Sequence, residues 1–121
     1  MKRHLQLSRE FLDDSVALLE QGRLRSAMDR AYYAIHYSAI ALLCRLGVRP
    51  PRSHSGLLNV FGREAVGRGV MKREFGRMLN VAFRMRSAST YTAADVILRD
   101  AQNVVANAER FVAETRSILN Y

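Results

Sequence analysis

The sequence predicts an all-α fold, an antiparallel up-and-down bundle of four main helices plus one short helix. Three observations carry that expectation. Apolar residues recur at three- and four-residue steps through four long stretches. No stretch alternates apolar and polar residues with the period of a strand. Gly22, Gly47 and the Pro50–Pro51 pair fall between the periodic stretches rather than inside them.

The first helix is expected from about His4 to Gln21, with Leu5, Leu12, Val16 and Leu19 on one side and Asp13, Asp14 and Glu20 away from it. Gly22 supplies its stop, and the short link that follows makes the next helix its antiparallel neighbour. That second helix, LRSAMDRAYYAIHYSAIALLCRL from Leu24 to Leu46, is the spine of the fold. Leu24, Met28, Ala31, Ile35, Ser38, Ala39, Leu42 and Leu46 make one stripe, and Arg30, Tyr33, Tyr37, Ile40 and Cys44 make a second. A helix apolar on two sides is wrapped by its own domain or shared with another copy, and the second stripe predicts a homodimer.

Gly47 and the two prolines end the spine. Ser53 is placed to cap a short helix carrying Leu57, Leu58, Val60 and Phe61. Gly62, Gly67 and Gly69 predict a loop or frayed turn. A further helix is expected from Met71 to Ser87, with Phe75, Met78, Leu79, Ala82 and Phe83 inward. The hydroxyl-rich run from Ser87 to Thr92 reads as a tight link, and Thr92 with Asp95 as the capping box of the last helix. That helix repeats apolar residues from Val96 and Ile97 through Ala101, Val104, Val105, Ala108, Phe111 and Val112 to Leu119.

The 121 residues suffice for one domain, residues 1–121, with a real core. The longest apolar run, Ala39 to Cys44, is far short of a membrane span, and no apolar segment follows the basic start at Lys2 and Arg3. One cysteine excludes an internal disulfide, so a cytoplasmic location is expected. The net charge of +8 sits almost wholly between Arg45 and Arg86, where ten Lys/Arg face two Asp/Glu. Such a block attracts phosphate polyanions or an acidic partner protein; a solvated arginine-rich surface is the plain structural reading.

Most catalytic layouts are missing. Gly62 to Gly69 has the glycine spacing of a phosphate loop but lacks its Lys and Ser/Thr and any preceding strand. Three histidines and one cysteine without paired spacing make no metal site, and no cofactor is expected. Arg49, Arg52 and His54 crowd the start of the short helix, where backbone N–H groups favour an anion; the competing reading is that Ser53 and His54 only cap and pack. On the spine, Arg30, Tyr33 and Tyr37 share a face, and a buried Arg among tyrosines needs ring and carboxylate partners. Structural service at a helix or subunit contact and direct substrate contact are the two roles open to them.

The ordered set RAYYAIH (Arg30–His36), ALL (Ala41–Leu43), Gly47, HSG (His54–Gly56), Phe61 and Gly69 resembles small stand-alone HEPN-domain proteins, the higher eukaryotes and prokaryotes nucleotide-binding family. RSASTY (Arg86–Tyr91) is similar to the Arg-x-x-Ala-Asp-Tyr signature that follows in such proteins, with Thr90 where the acid would stand. The match runs from about residue 8 to 115. The resemblance implies a paired helical bundle working near nucleotides or RNA. It also implies either an endoribonuclease toxin or a partner or substrate-binding subunit of a small nucleotidyltransferase in a toxin–antitoxin setting. The family's ribonuclease motif is an Arg followed after four to six residues by a His. Arg86 holds the Arg position, but Thr90, Tyr91 and Thr92 stand where the His belongs. Arg30 to His36 and Arg49 to His54 fit the bare spacing in the wrong context.

The sequence therefore predicts a nucleotide- or RNA-associated binding protein without strong catalysis, its phosphate contacts being Arg49, Arg52, His54, Arg84 and Arg86. Arg30, Tyr33, Tyr37 and Tyr91 line its helix face or dimer cleft. The rival reading is a metal-independent endoribonuclease using His54 with Arg86, or His36 with Arg30. A third is a purely structural dimerisation module.

Overall fold

The computed structural model describes residues 1–91 and 98–121, with side chains for all of these except 89–91. Among the described residues five α-helices follow one another: α1 (Lys2–Glu20), α2 (Leu24–Arg45), α3 (His54–Phe61), α4 (Arg73–Tyr91) and α5 (Leu98–Leu119). Among the described residues there is no strand. The capping box of Thr92 and Asp95, and Val96 and Ile97, lie outside the described residues.

α2 is the spine, packed against α1, α4 and α5. Ala27, Ala31, Ala34, Ala39 and Ala41 are fully buried along it, and these small side chains let three neighbours approach one helix closely. Larger groups fill the gaps: Met28, Ile35, Leu42 and Leu43 from α2, and Phe61, Phe75 and Phe111 as a ring cluster with centroids 5.6 and 5.8 Å apart. Contacts between α1 and α2 pair His4 with Tyr37 and Phe11 with Arg30, while those between α2 and α4 pair Asp29 with Arg86 and Tyr32 with Phe83. In both helix pairs one number rises as the other falls, so α1 and α4 run antiparallel to α2.

Gly22 and Gly47 end α1 and α2 in the left-handed region, at φ 74° and 75°. The next residue then bonds back five positions, Arg23 N to Leu18 O and Val48 N to Leu43 O, each at 2.9 Å. This is the Schellman closure, which a side chain at the glycine would strain.

Two expectations need correction. Residues 62–66 are not a loop but a π-helical turn, Gly62–Val66, that continues α3. Its closing bond runs from Gly67 N to Gly62 O at 2.8 Å, and a Cβ on Gly67 would lie 2.4 Å from the Arg63 carbonyl oxygen. The glycine that reads as a breaker is what permits the wide turn. The run from Ser87 is likewise not a link, because α4 continues to Tyr91. No Gly or Pro interrupts the chain after Gly76, and serine and threonine alone lower helix propensity by only a few tenths of a kcal/mol per residue.

The second stripe of α2 is half-buried by the chain itself. The Phe11 ring stacks on Tyr37 at 5.6 Å and tilts against Tyr33 at 5.5 Å, so α1 supplies part of the cover that the periodicity assigns to a second copy. No helix among the described residues is long and apolar enough to cross a membrane.

Candidate functional site

Where α2, the start of α3 and the second half of α4 converge, they bring together Asp29, Tyr32, Tyr33, His36, His54, Phe83 and Arg86. The helix period explains α2's share: residues 29, 32, 33 and 36 are steps of three and four and project to one side. His54 arrives as the first residue of α3, held by Ser53, whose hydroxyl accepts the Gly56 N–H at 3.0 Å. Phe83 and Arg86 sit three apart on α4, facing the same groove.

Arg86 is the charged centre. Its Nε donates to Asp29 Oδ1 at 2.8 Å and its Nη2 to Tyr33 Oη at 3.1 Å. The guanidinium carbon lies 5.1 Å from the Tyr33 ring centre and 5.5 Å from that of Tyr32, within cation–π range. Burial alone would pull its pKa down, but the Asp29 hydrogen bond, with Tyr33 and the Asp29 charge, raises it, so the cation is fixed.

Tyr32 is 1% exposed and joins the two imidazoles. Its hydroxyl pairs with His54 Nδ1 and lies 3.3 Å from His36 Nδ1. Burial pushes the phenol pKa up, against the opposing pull of Arg86, so the hydroxyl keeps its proton. Burial, helped by the charges of His54, His4 and Arg86, lowers His36 to about 4. Burial and then Arg86 lower His54 as well. A neutral phenol has one hydrogen, so it donates to one imidazole and accepts the N–H of the other. The imidazole that donates at Nδ1 has a bare Nε2, which is a base. The trio is thus a relay able to take a proton at one ring and release one at the other, beside a fixed positive charge.

Partly exposed rings extend the site along α1 and α2. His4 and Tyr37 stack at 6.1 Å, Phe11 and Tyr37 at 5.6 Å, and His54 stacks on Phe83 at 5.0 Å.

The structure gathers His54, His36 and Arg86 from three helices. Tyr33 joins them through its hydroxyl on Arg86, and Tyr37 packs edge-on against His36, whereas Arg30, Arg49, Arg52 and Arg84 do not join them. Arg30 is not buried among tyrosines: its side chain is 45% exposed, 5.7 Å over the Phe11 ring and 3.5 Å from Asp29. The arginine among tyrosines is Arg86, which also supplies the arginine charge that His36 feels. Arg49 and Arg52 are exposed on the loop before α3, while His54 turns inward to Tyr32 and Phe83. Arg84 is exposed on α4, and the side chain of Tyr91 lies outside the described residues. Asp29 and Tyr32 escape a reading of the sequence. One signal was available, because Asp29 is the only acidic residue between Glu20 and Glu64. Among the described residues no cluster of His, Cys, Asp and Glu is suited to a metal ion.

The family model described as HEPN domain matches residues 1–118. A protein named "putative toxin" from Methanocaldococcus jannaschii is 30% identical over 115 residues, covering 95% of this chain and 85% of its own. A UPF0332 protein of Thermotoga maritima is 42% identical over 84 residues, 69% of this chain and 63% of its own. Another, from Pyrococcus horikoshii, is 37% identical over 79 residues, 65% of this chain and 55% of its own. The alignment thus spans well under two thirds of the last relative's length, and slightly under in the second.

Proposed function

The chain belongs to the HEPN family, and on that premise we propose that it binds single-stranded RNA or a nucleotide at the Arg86 cluster. One observation carries this reading: a fixed guanidinium framed by half-exposed Tyr33, His36, His54 and Phe83 rings. Phosphate would meet the cation and an unpaired base would stack on a ring, the pairing that recognises single strands without reading sequence. The charge of the middle third supplies long-range attraction. A toxin–antitoxin setting, a second copy and a small nucleotidyltransferase partner are the context that the family resemblance implies, and a relative named as a toxin supports it.

Fluorescence anisotropy with a labelled single-stranded oligouridylate tests the proposal. Binding should weaken linearly in log–log form with salt, and Arg86→Lys should weaken it by about tenfold, because the flat two-sided fork is lost while the charge stays. Salt-independent binding, or none, overturns it.

The Tyr32–His54–His36 relay favours a second reading, metal-independent cleavage of RNA. One neutral imidazole would take the proton of a ribose 2′-hydroxyl as that oxygen bonds to phosphorus, the other would give a proton to the 5′-oxygen as its bond to phosphorus breaks, and Arg86 would hold the charge developing on the phosphate. RNA incubated with the protein in EDTA should then be cut, and His54→Gln and His36→Gln should each stop the cutting. An intact substrate excludes this reading and leaves the binding role standing.

A further inference from the structure

A second recess lies between α3 with its π-helical turn and the first half of α4, its Leu58 and Asn80 about one helical turn from His54 and Phe83 of the Arg86 cluster. It has a volume of about 430 Å³ and is lined by Leu58, Asn59, Gly62, Val66, Arg73, Gly76, Arg77 and Asn80. We propose that this cleft is a nucleotide-binding site, with Arg73 and Arg77 on the phosphate and Asn59 and Asn80 on the base or sugar edge.

Charge is the first ground. The middle third of the sequence has two acids, and both are engaged elsewhere: Glu64 with Arg68 at 2.7 Å and Arg63 at 3.4 Å, Glu74 with Arg110 at 3.1 Å. Among the described residues neither Arg73 nor Arg77 has an ion-pair partner, and no acid lines the cleft. Two exposed guanidinium groups one helical turn apart, left without carboxylates, suit a phosphate.

The rest of the lining selects among phosphate compounds. Asn59 and Asn80 each offer donors and an acceptor, which an inorganic anion cannot use but a base edge or ribose can. Leu58 and Val66 give an apolar wall for a flat ring, and the volume is in the range of small-ligand sites. Gly62 is the most telling residue. Its backbone is ordinary right-handed helix, φ −60° and ψ −42°, and a Cβ built there meets nothing within 4 Å. Neither conformation nor packing requires glycine at this point, so what its missing side chain provides is open space in the cleft.

Arg73, Arg77, Asn80 and Arg84 follow one another on α4 at steps of four, three and four, a single stripe leading out of the cleft. A strand whose nucleotide occupies the cleft would find Arg84 next along its backbone. The ligand is therefore either a free mononucleotide or one nucleotide of a single-stranded RNA, and none of the residues that would hold it belongs to the Arg86 cluster.

Calorimetric titration with adenosine monophosphate and with a short oligoadenylate tests it on four proteins: wild type, Arg73→Gln/Arg77→Gln, Gly62→Leu, and Arg23→Gln/Arg99→Gln as a charge-matched control. Circular dichroism confirms that each is folded. The cleft pair and Gly62→Leu should each weaken binding by about tenfold, the latter with every charge retained, and the control by less than about twofold. Losses with the mononucleotide identify a free nucleotide as ligand, and losses with the oligonucleotide alone identify an RNA strand. Wild type that binds neither probe, cleft variants that bind as wild type does, or a control that weakens equally overturns the proposal. An Arg86→Lys protein run alongside separates the two sites: oligonucleotide binding lost there but kept in the cleft variants sinks this inference and spares the other.

Discussion

Arg86 and Asp29, fifty-seven residues apart, meet with Nε 2.8 Å from Oδ1, and this contact ties α4 to the spine at the candidate site. The side chains are 22% and 34% exposed, so the pair is sheltered without being dry. Removing the acceptor leaves a sheltered cation short of a partner. Asp29→Ala should lower stability by about 1.5–3 kcal/mol, read from the urea midpoint. Asp13→Ala, which breaks the exposed Arg9–Asp13 pair, should stay within about 0.5 kcal/mol.

The Tyr32 hydroxyl can be separated from the Tyr32 ring. Tyr32→Phe keeps the buried ring but removes the shared partner of His36 and His54, a loss of about 1–2 kcal/mol. Tyr32→Ala also opens a cavity beneath both histidines and should cost about 3–5 kcal/mol. Equal losses in the two variants would mean that the hydroxyl carries the whole effect, contrary to this account.

Acid should loosen the fold through His36. Its pKa is about 4 in the folded chain, held down by burial and then by His54, His4 and Arg86, against 6.5 ordinarily. Below pH 6.5 the unfolded chain takes up a proton that the folded chain refuses. Stability is therefore flat above that pH and falls as the pH drops toward 4, by on the order of 3 kcal/mol across the window. His4 and His54, also lowered, act in the same direction. In His36→Phe the acid slope should shrink but not vanish, as urea midpoints measured through the window will show.

Ser53 holds the first turn of α3, and the first residue of that turn is His54. Ser53→Ala should cost about 1 kcal/mol and speed amide exchange through α3. Ser53→Asp, which keeps a capping oxygen, should restore both. RNA binding should follow the same order if His54 contributes to it.

Much of the bundle is legible in the sequence because its signals are local. The stops at Gly22 and Gly47, the cap at Ser53 and the stripes of α2 and α5 each depend on residues within a turn or two. The π-helical turn is not legible, since Gly67 looks like any breaker until its closing bond to Gly62 is seen. The site was half legible. Arg86, His54 and His36 stand out as residue types, but their convergence depends on how α3 and α4 cross α2, which no spacing encodes. Tyr32 falls in neither stripe of α2, and its role follows only from the hydroxyl's two partners. Arg30 misleads because it shares a helix with the tyrosines, whereas the arginine that reaches their rings comes from α4.

No short stretch of this polypeptide contains the Arg86 ensemble. Its acid and phenols come from α2, one imidazole from α3 and its cation from α4, so a nascent chain has none of it until α4 has emerged and docked. A protein that levered α4 off the spine would silence the ensemble while touching none of its atoms. Control by prising helices apart, rather than by plugging a groove, is thus open to any partner able to grip that helix.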